Sequence, residues 1–211
     1  MEEQDLSDKQ KLIMETAEKL FATNGYDATS IRDIAAAGAF NSAMISYYFG
    51  SKEQLMEGIL VYRTTRLENV VIELLGTIED PLEKLLAVNR FYIQKVLQHK
   101  YFYLLIFQIQ SLPEKHILIR NFYNQLRYKN FDLLHQIIQE GQGMGIFKEE
   151  INTSFLLFVI SGTMNNFLVN QDYYKNVNDK NDLSEAEFDL HIKEELGQLL
   201  TGIIKSMVVR V

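Results

Sequence analysis

Cysteine and tryptophan are absent from this 211-residue chain, and proline occurs only twice. Without cysteine there are no disulfides, no thiolate metal ligands and no thiol redox switch, so a reducing cytoplasm is the expected compartment. The scarcity of proline leaves long stretches free to be helical. No uncharged apolar run reaches the roughly 18 residues of a membrane span, and no membrane partner is expected. The opening MEEQDLSDKQ is acidic where a secretory leader is basic and then apolar, so no signal peptide is expected. Cations are scarce as well. The net charge is −7, and residues 1–60 hold five basic residues (Lys9, Lys11, Lys19, Arg32, Lys52) against ten acidic ones. Phosphate binding relies on lysine and arginine displacing counterions, so any nucleic-acid reader at this end must aim a few cations well and use backbone amides and hydroxyls besides.

What is present is apolar and helically spaced. Hydrophobic residues make up 47% of the chain, enough for a sizeable core. Apolar residues recur at three-and-four spacing throughout, with no alternating strand pattern, so the fold is expected to be all-α with about nine helices. Ser7 with Gln10 forms a capping box before Leu12, Ile13, Ala17, Leu20 and Phe21, and Asn24-Gly25 stops that first helix. Thr29 or Ser30 caps a short second helix, Ile31 to Ala37, and Asn41 caps a third that runs through Phe49. Two short helices across a tight turn are the geometry of a helix-turn-helix. Ser51 with Gln54 caps a fourth, longer helix, and Asp80-Pro81 opens the fifth. A sixth covers Tyr101 to Ser111, a long seventh runs from Pro113 to a glycine-rich stop at Gly141 to Gly145, and the eighth spans Thr153 to Gln171. The polar stretch Asn176 to Asp182 reads as a loop before the last helix, capped by Ser184 with Glu187. The apolar residues Leu12, Ala17, Leu20, Phe21, Ile31, Ile34, Ala35, Ile45 and Phe49 can lock three short helices that alone are marginal.

The pattern Ala17-x-x-Leu20-Phe21-x-x-x-Gly25-Tyr26-x-x-Thr29-Ser30-Ile31-x-x-Ile34-Ala35, followed by Ile45-x-Tyr47-Tyr48-Phe49-x-Ser51-Lys52-Glu53-x-Leu55, resembles the tetracycline-repressor-like (TetR/AcrR) family over about residues 10–60. Beyond it the similarity rests on helix number and lengths and on the Gly143-x-Gly145-x-Phe147 turn. The resemblance implies a bacterial, dimeric, ligand-responsive repressor. Residues 1–50 are its helix-turn-helix DNA-binding domain, and residues 51–211 its ligand-binding and dimerisation domain, linked through a helix at 51–75. The third helix is the one expected in the major groove of a palindromic double-stranded operator, with Asn41, Ser42, Ala43, Ser46 and Tyr47 toward the bases. Tyr48 matches a phosphate-contacting position, Thr29 lies where an amino terminus offers amides to the backbone, and Lys52 is placed for a phosphate at the start of the fourth helix. Two positions depart from the family pattern. Ala39 stands where many relatives have glycine, with Gly38 just before it, and Ser46 stands where many have an aromatic residue.

Reading two half-sites requires a homodimer. The resemblance assigns its interface to the last two long helices, through Phe155, Val159, Thr163 and Phe167 on one and Leu196, Leu199, Leu200 and Ile203 on the other; the same stripes also suit a monomer's own core. Aromatic and amide side chains gather in the middle helices: Phe91, Tyr92, Tyr103, Phe107, Phe122, Tyr123, Phe158, Asn165 and Asn166. They suit a pocket for a small hydrophobic or aromatic effector. His99, His116, His135 and His191 show no metal-ligand spacing, the run Gly141-x-Gly143-x-Gly145 lacks the strand a dinucleotide site needs, and Asn152-x-Ser154 is a sequon without a secretory context. No serine, histidine and aspartate arrangement suggests catalysis, so neither an enzyme nor a cofactor is expected. The acidic amino-terminal half keeps one alternative open, a helix-turn-helix-derived protein-protein adaptor that no longer binds DNA.

Overall fold

The computed structural model describes residues 6–210, apart from the side chains of Arg66, Glu68 and Lys115. The acidic opening Met1 to Asp5 and the last residue therefore lie outside the described residues. Among the described residues the chain is all-α, with ten α-helices: α1 (Asp8–Asn24), α2 (Ile31–Ala37), α3 (Ser42–Phe49), α4 (Lys52–Gly76), α5 (Pro81–Gln98), α6 (Lys100–Ile109), α7 (Ile117–Gly143), α8 (Thr153–Val169), α9 (Gln171–Val177) and α10 (Glu185–Val208). A 3-10 turn, Glu114–His116, precedes α7, so that helix begins past Pro113. No helix among them is long and apolar enough to cross a membrane.

The chain packs as two compact units. One is built from the chain up to Glu68 together with Tyr101–Asn124, the other from Asn69–Lys100 and Gln125 onward. Helix α4 begins in the first and ends in the second.

The first unit holds α1 to α3. Capping boxes start α1 (Ser7 with Gln10) and α2 (Ser30 with Asp33), and the Asn41 side chain accepts the Ala43 amide to start α3. Each satisfies amides that a helix start leaves without partners. Ile13, Ala17, Phe21, Ile34 and Ile45 are buried between the three helices. Of the expected core, Leu20, Ile31 and Phe49 are only half-buried and Leu12 is 52% exposed, its neighbours Ile13 and Met14 pointing inward instead. Helix α4 is tied to α1 by Arg63, whose Nε donates to Glu18 at 2.7 Å. Both side chains are largely buried. Burial raises the Glu18 carboxyl above its ordinary range, against the opposing pull of the guanidinium.

In the second unit α5 packs along α10 and α8. Lys84 binds Glu140 of α7 at 2.7 Å, and Lys100 binds Asp189 of α10 at 2.6 Å. The last turn of α7 runs two residues past Gly141, and that glycine makes room for Phe147. A Cβ on Gly141 would stand 2.2 Å from that ring, which is fully buried, and Phe147 forms an antiparallel bridge with Val209. The tenth helix is the element missing from the nine expected. Helix α8 ends at Val169, where the Asn170 side chain donates to the Asn166 carbonyl, and the short α9 follows. Seven residues are marginal as a helix alone, but Tyr174 packs on Phe167 and Phe188 with ring centroids 6.0 and 6.1 Å away and holds α9 in place.

The α2–α3 turn explains the departure at Ala39. This alanine has φ 53°, the left-handed region where a glycine is at home. Gly38 cannot accept a side chain, because a Cβ there would meet the Phe40 ring at 2.0 Å. The turn keeps the conformation a glycine would favour and carries the strain of a methyl group. Ala39→Gly is therefore expected to stabilise the first unit by about 1 kcal/mol, read as a higher urea midpoint at unchanged slope. A lower midpoint would show that the left-handed alanine is not strained.

Candidate nucleic-acid interface

Helix α3 has two unlike faces. Ile45 is fully buried against the other short helices, while Asn41, Ser42, Ala43, Ser46 and Tyr47 all lie on the exposed side. Tyr47 is 84% exposed, an unusual position for a large ring on a water-facing helix. Its ring meets that of Tyr48 edge-on at 5.5 Å, and Tyr48 is half-buried beside Phe49 at 6.3 Å. Tyr48 is thereby fixed by packing, with Tyr47 free to reach outward.

Lys52 stands in the first turn of α4 and is half-buried. Its Nζ donates to the backbone carbonyls of Tyr26 at 2.9 Å and Thr29 at 3.0 Å and lies 4.3 Å above the Tyr26 ring. An ammonium has three donors; two of them hold the α1–α2 loop. The lysine expected at a phosphate is thus a clamp between the start of α4 and the loop that leads into α2.

Thr29 belongs to the same clamp and is not a surface group. It is buried, and its hydroxyl donates to the Gly25 carbonyl at 2.9 Å. At the start of α2, Asp33 already supplies an anion: its carboxylate accepts the Ser30 amide and hydroxyl, both at 2.7 Å. These bonds hold its carboxyl below the ordinary carboxylate range. The amino terminus of α2 is consequently less open to a phosphate than its position in the sequence suggests.

A segment about ninety residues downstream also grips the reader. Gln108 of α6 donates to the Ala22 carbonyl at 2.8 Å, and Lys19 lies 5.5 Å from the centre of the Tyr101 ring. The 3-10 turn contributes His116, 2.8 Å from Asp27 and edge-on to the Tyr26 ring at 4.9 Å. The sequence pattern offered no sign of these residues, because nothing local relates them to the loop they touch.

In the second unit, the stripes expected at an interface divide. Phe155 is 61% exposed and Leu199 51% exposed, Val159, Thr163 and Ile203 are half-buried, and Phe167, Leu196 and Leu200 are buried in the unit's own core. Phe158, expected in a pocket, is exposed and meets Phe155 edge-on at 6.2 Å. With Gly162, Asn166 and Val169 these two rings form one exposed stripe along α8 at steps of three and four residues. The remaining pocket candidates fall in both units. Tyr103, Phe107, Phe122 and Tyr123 belong to the first, where burial pushes the Tyr103 phenol well above its ordinary value. Phe91 and Tyr92 of α5 and Asn165 of α8 are half-buried in the second, and Asn166 is exposed. An open groove of about 670 Å³ in the second unit is lined instead by Phe131, His135, Gln142, Glu149 and Thr153, among others.

Comparison with known proteins agrees with this geometry. Residues 13–59 match the family described as bacterial regulatory proteins, tetR family. The chain is similar to the uncharacterized HTH-type transcriptional regulator YuxN of Bacillus subtilis, 31% identical over 108 residues, covering 51% of this chain and 37% of that one. It is also similar to the HTH-type transcriptional repressor KstR2 of Mycolicibacterium smegmatis, 25% identical over 151 residues, covering 72% and 73%. The fold is that of AibR, solved in complex with isovaleryl coenzyme A and operator DNA, with a TM-score of 0.69 at 23% identity, covering 93% of this chain and 97% of that one.

The clamp makes a stability prediction that needs no DNA. Lys52→Met removes two charge-assisted hydrogen bonds and a cation–π contact, and should cost about 2 kcal/mol in urea unfolding of the unliganded chain. A loss below about 0.5 kcal/mol, the size of an ordinary surface substitution, would show that the lysine is not a clamp.

Proposed function

We infer that this chain, which belongs to the tetR family of bacterial regulatory proteins, is a ligand-responsive transcriptional repressor that acts as a homodimer on a palindromic operator and is released by a small hydrophobic effector. It is not an enzyme; the relatives it matches are named as transcriptional regulators. The observation that carries the reading is the exposed face of α3, which presents polar groups and the bare Tyr47 ring where a soluble protein without a partner would place charge. A major groove admits one helix, and hydroxyl, amide and phenol groups read base edges there.

In this reading, residues 1–50 form the DNA-reading domain and residues 51–211 the sensing and dimerising domain, joined by the helix over 51–75. Asn41, Ser42, Ala43, Ser46 and Tyr47 face the bases. Tyr48 and the remaining proton of Lys52 serve the phosphates, and Thr29 acts by holding the loop behind them. Two such heads meet half-sites about 34–36 Å apart. The exposed stripe of α8 and Leu199 of α10 pair with their counterparts in a second copy, as in an intermolecular four-helix bundle. The site of work is the cytoplasm. Effector binding acts through α4, a single helix shared by both units, and lowers affinity by changing the spacing of the heads without removing any contact.

Titration of the full chain against its own upstream DNA tests the reading. A specific complex is expected whose log affinity falls steeply with log salt. Lys52→Met should reduce that slope by about 1, and Tyr48→Ala should weaken binding on all sequences. Asn41→Ala and Ser46→Ala should alter base preference at particular positions in a binding selection. Absence of any complex, with capture of a protein partner through α3 in its place, would favour the adaptor alternative. The dimer has its own test: Phe155→Glu with Leu199→Glu should give a folded monomer that binds operator DNA at least tenfold more weakly. A dimer that survives both charges would move the interface elsewhere.

A further inference from the structure

We propose that Asn89 is the polar anchor of a buried site for an uncharged, carboxamide-bearing apolar molecule, and that this molecule is the effector. The binding claim stands on the second unit alone; the effector claim rests on the repressor reading above. Asn89 lies at the middle of α5, in the buried row that includes Leu85, Leu86, Ile93 and Val96. It is 2% exposed. Neither its Oδ1 nor its Nδ2 has a hydrogen-bond partner among the described residues. Folded proteins rarely leave a buried amide in this condition, because the water given up is not replaced. A leucine has similar size and would complete the row without that cost. An asparagine here is explained by a partner that arrives from outside.

The chemistry of the amide selects that partner. It offers one acceptor and one donor side by side, both neutral. A carboxamide offers the same two groups and, turned end to end, satisfies both with two parallel hydrogen bonds. A ketone or ether meets only Nδ2, and a carboxylate meets Nδ2 while placing negative charge against Oδ1. The cations of α5 are turned elsewhere: Lys84 binds Glu140, Arg90 is exposed and reaches Glu83 at 3.5 Å, and Lys95 donates to Gln98 while lying over the Phe91 ring. The helices that pack on α5 bring apolar side chains, Leu156, Ile160 and Met164 from α8 and Leu196, Leu200 and Ile204 from α10. The body of the ligand is accordingly apolar. Helix α10 also carries His191, whose Nε2 is buried and lacks a partner among the described residues, a second polar point on a helix packed against α5.

Thermal unfolding of the full chain with benzamide and hexanamide, and with the shape-matched acetophenone, 2-heptanone, benzoate and hexanoate at equal concentration, tests the proposal. At least one of the two amides should raise the melting temperature by 2 °C or more while its matched ketone and carboxylate do not. Asn89→Leu should raise the melting temperature of the unliganded chain and abolish the amide shift. The proposal is overturned if the ketone shifts the wild type as much as the amide, if neither amide shifts it, or if Asn89→Leu lowers the unliganded melting temperature. The effector claim is separated by adding the amide to the complex with upstream DNA. Release in the wild type but not in Asn89→Leu supports it. Amide binding with DNA retained removes the effector role and leaves both the site and the repressor reading intact, whereas a chain that never binds its DNA removes the repressor reading alone.

Discussion

The reading head depends on one ammonium group. Lys52 reaches from the first turn of α4 to the carbonyls of Tyr26 and Thr29 and covers the Tyr26 ring, and by doing so fixes where α4 leaves the three short helices. Those helices are too short to be stable alone. Their mutual burial through Ile13, Phe21, Ile34 and Ile45 makes them a module, and the lysine gives that module a fixed attachment. A cation at the amino terminus of a helix opposes the helix dipole, so the position is costly unless something pays for it. Two backbone oxygens and a ring do so within the protein.

The same loop is held from behind. Asp27 meets His116, Tyr26 packs against the same imidazole, and the Ala22 carbonyl accepts from Gln108. The compact unit that carries the exposed face of α3 therefore includes Tyr101–Asn124 as well as the first three helices. A change in α6 or in the turn before α7 acts on the α1–α2 loop directly, alongside any change carried by α4. These contacts join residues that are far apart in sequence within one unit.

Much of the fold was legible because it rests on local rules. The capping boxes at Ser7, Ser51 and Ser184 and the Asn41 cap follow from side chains that reach their own backbone within three residues, and each appears where the spacing puts it. The inward Ile45 and the outward polar face of α3 follow from helical period. Period failed where a choice between neighbours depends on what packs opposite. Leu12 and Ile13 are equally apolar, and only the second meets the other helices. Phe158, expected in a pocket, lies on the surface stripe with Phe155. The break at Asn170 separates α9 from α8 through a side-chain bond that competes with the helix, and the aromatic cluster that then stabilises α9 is assembled from three elements. Asn89 gives no signal in the sequence beside its aromatic neighbours Phe91 and Tyr92, because a sequence shows an amide but not whether it has a partner.

The central claim is that the exposed face of α3, steadied by Lys52, is the surface that meets the duplex. Hydrogen exchange of the full chain with and without a duplex from its own upstream region measures this directly. The account predicts slowed exchange concentrated in residues 38–52, with the carboxy-terminal helices unchanged. Protection confined to other segments, with α3 exchanging as before, would contradict it.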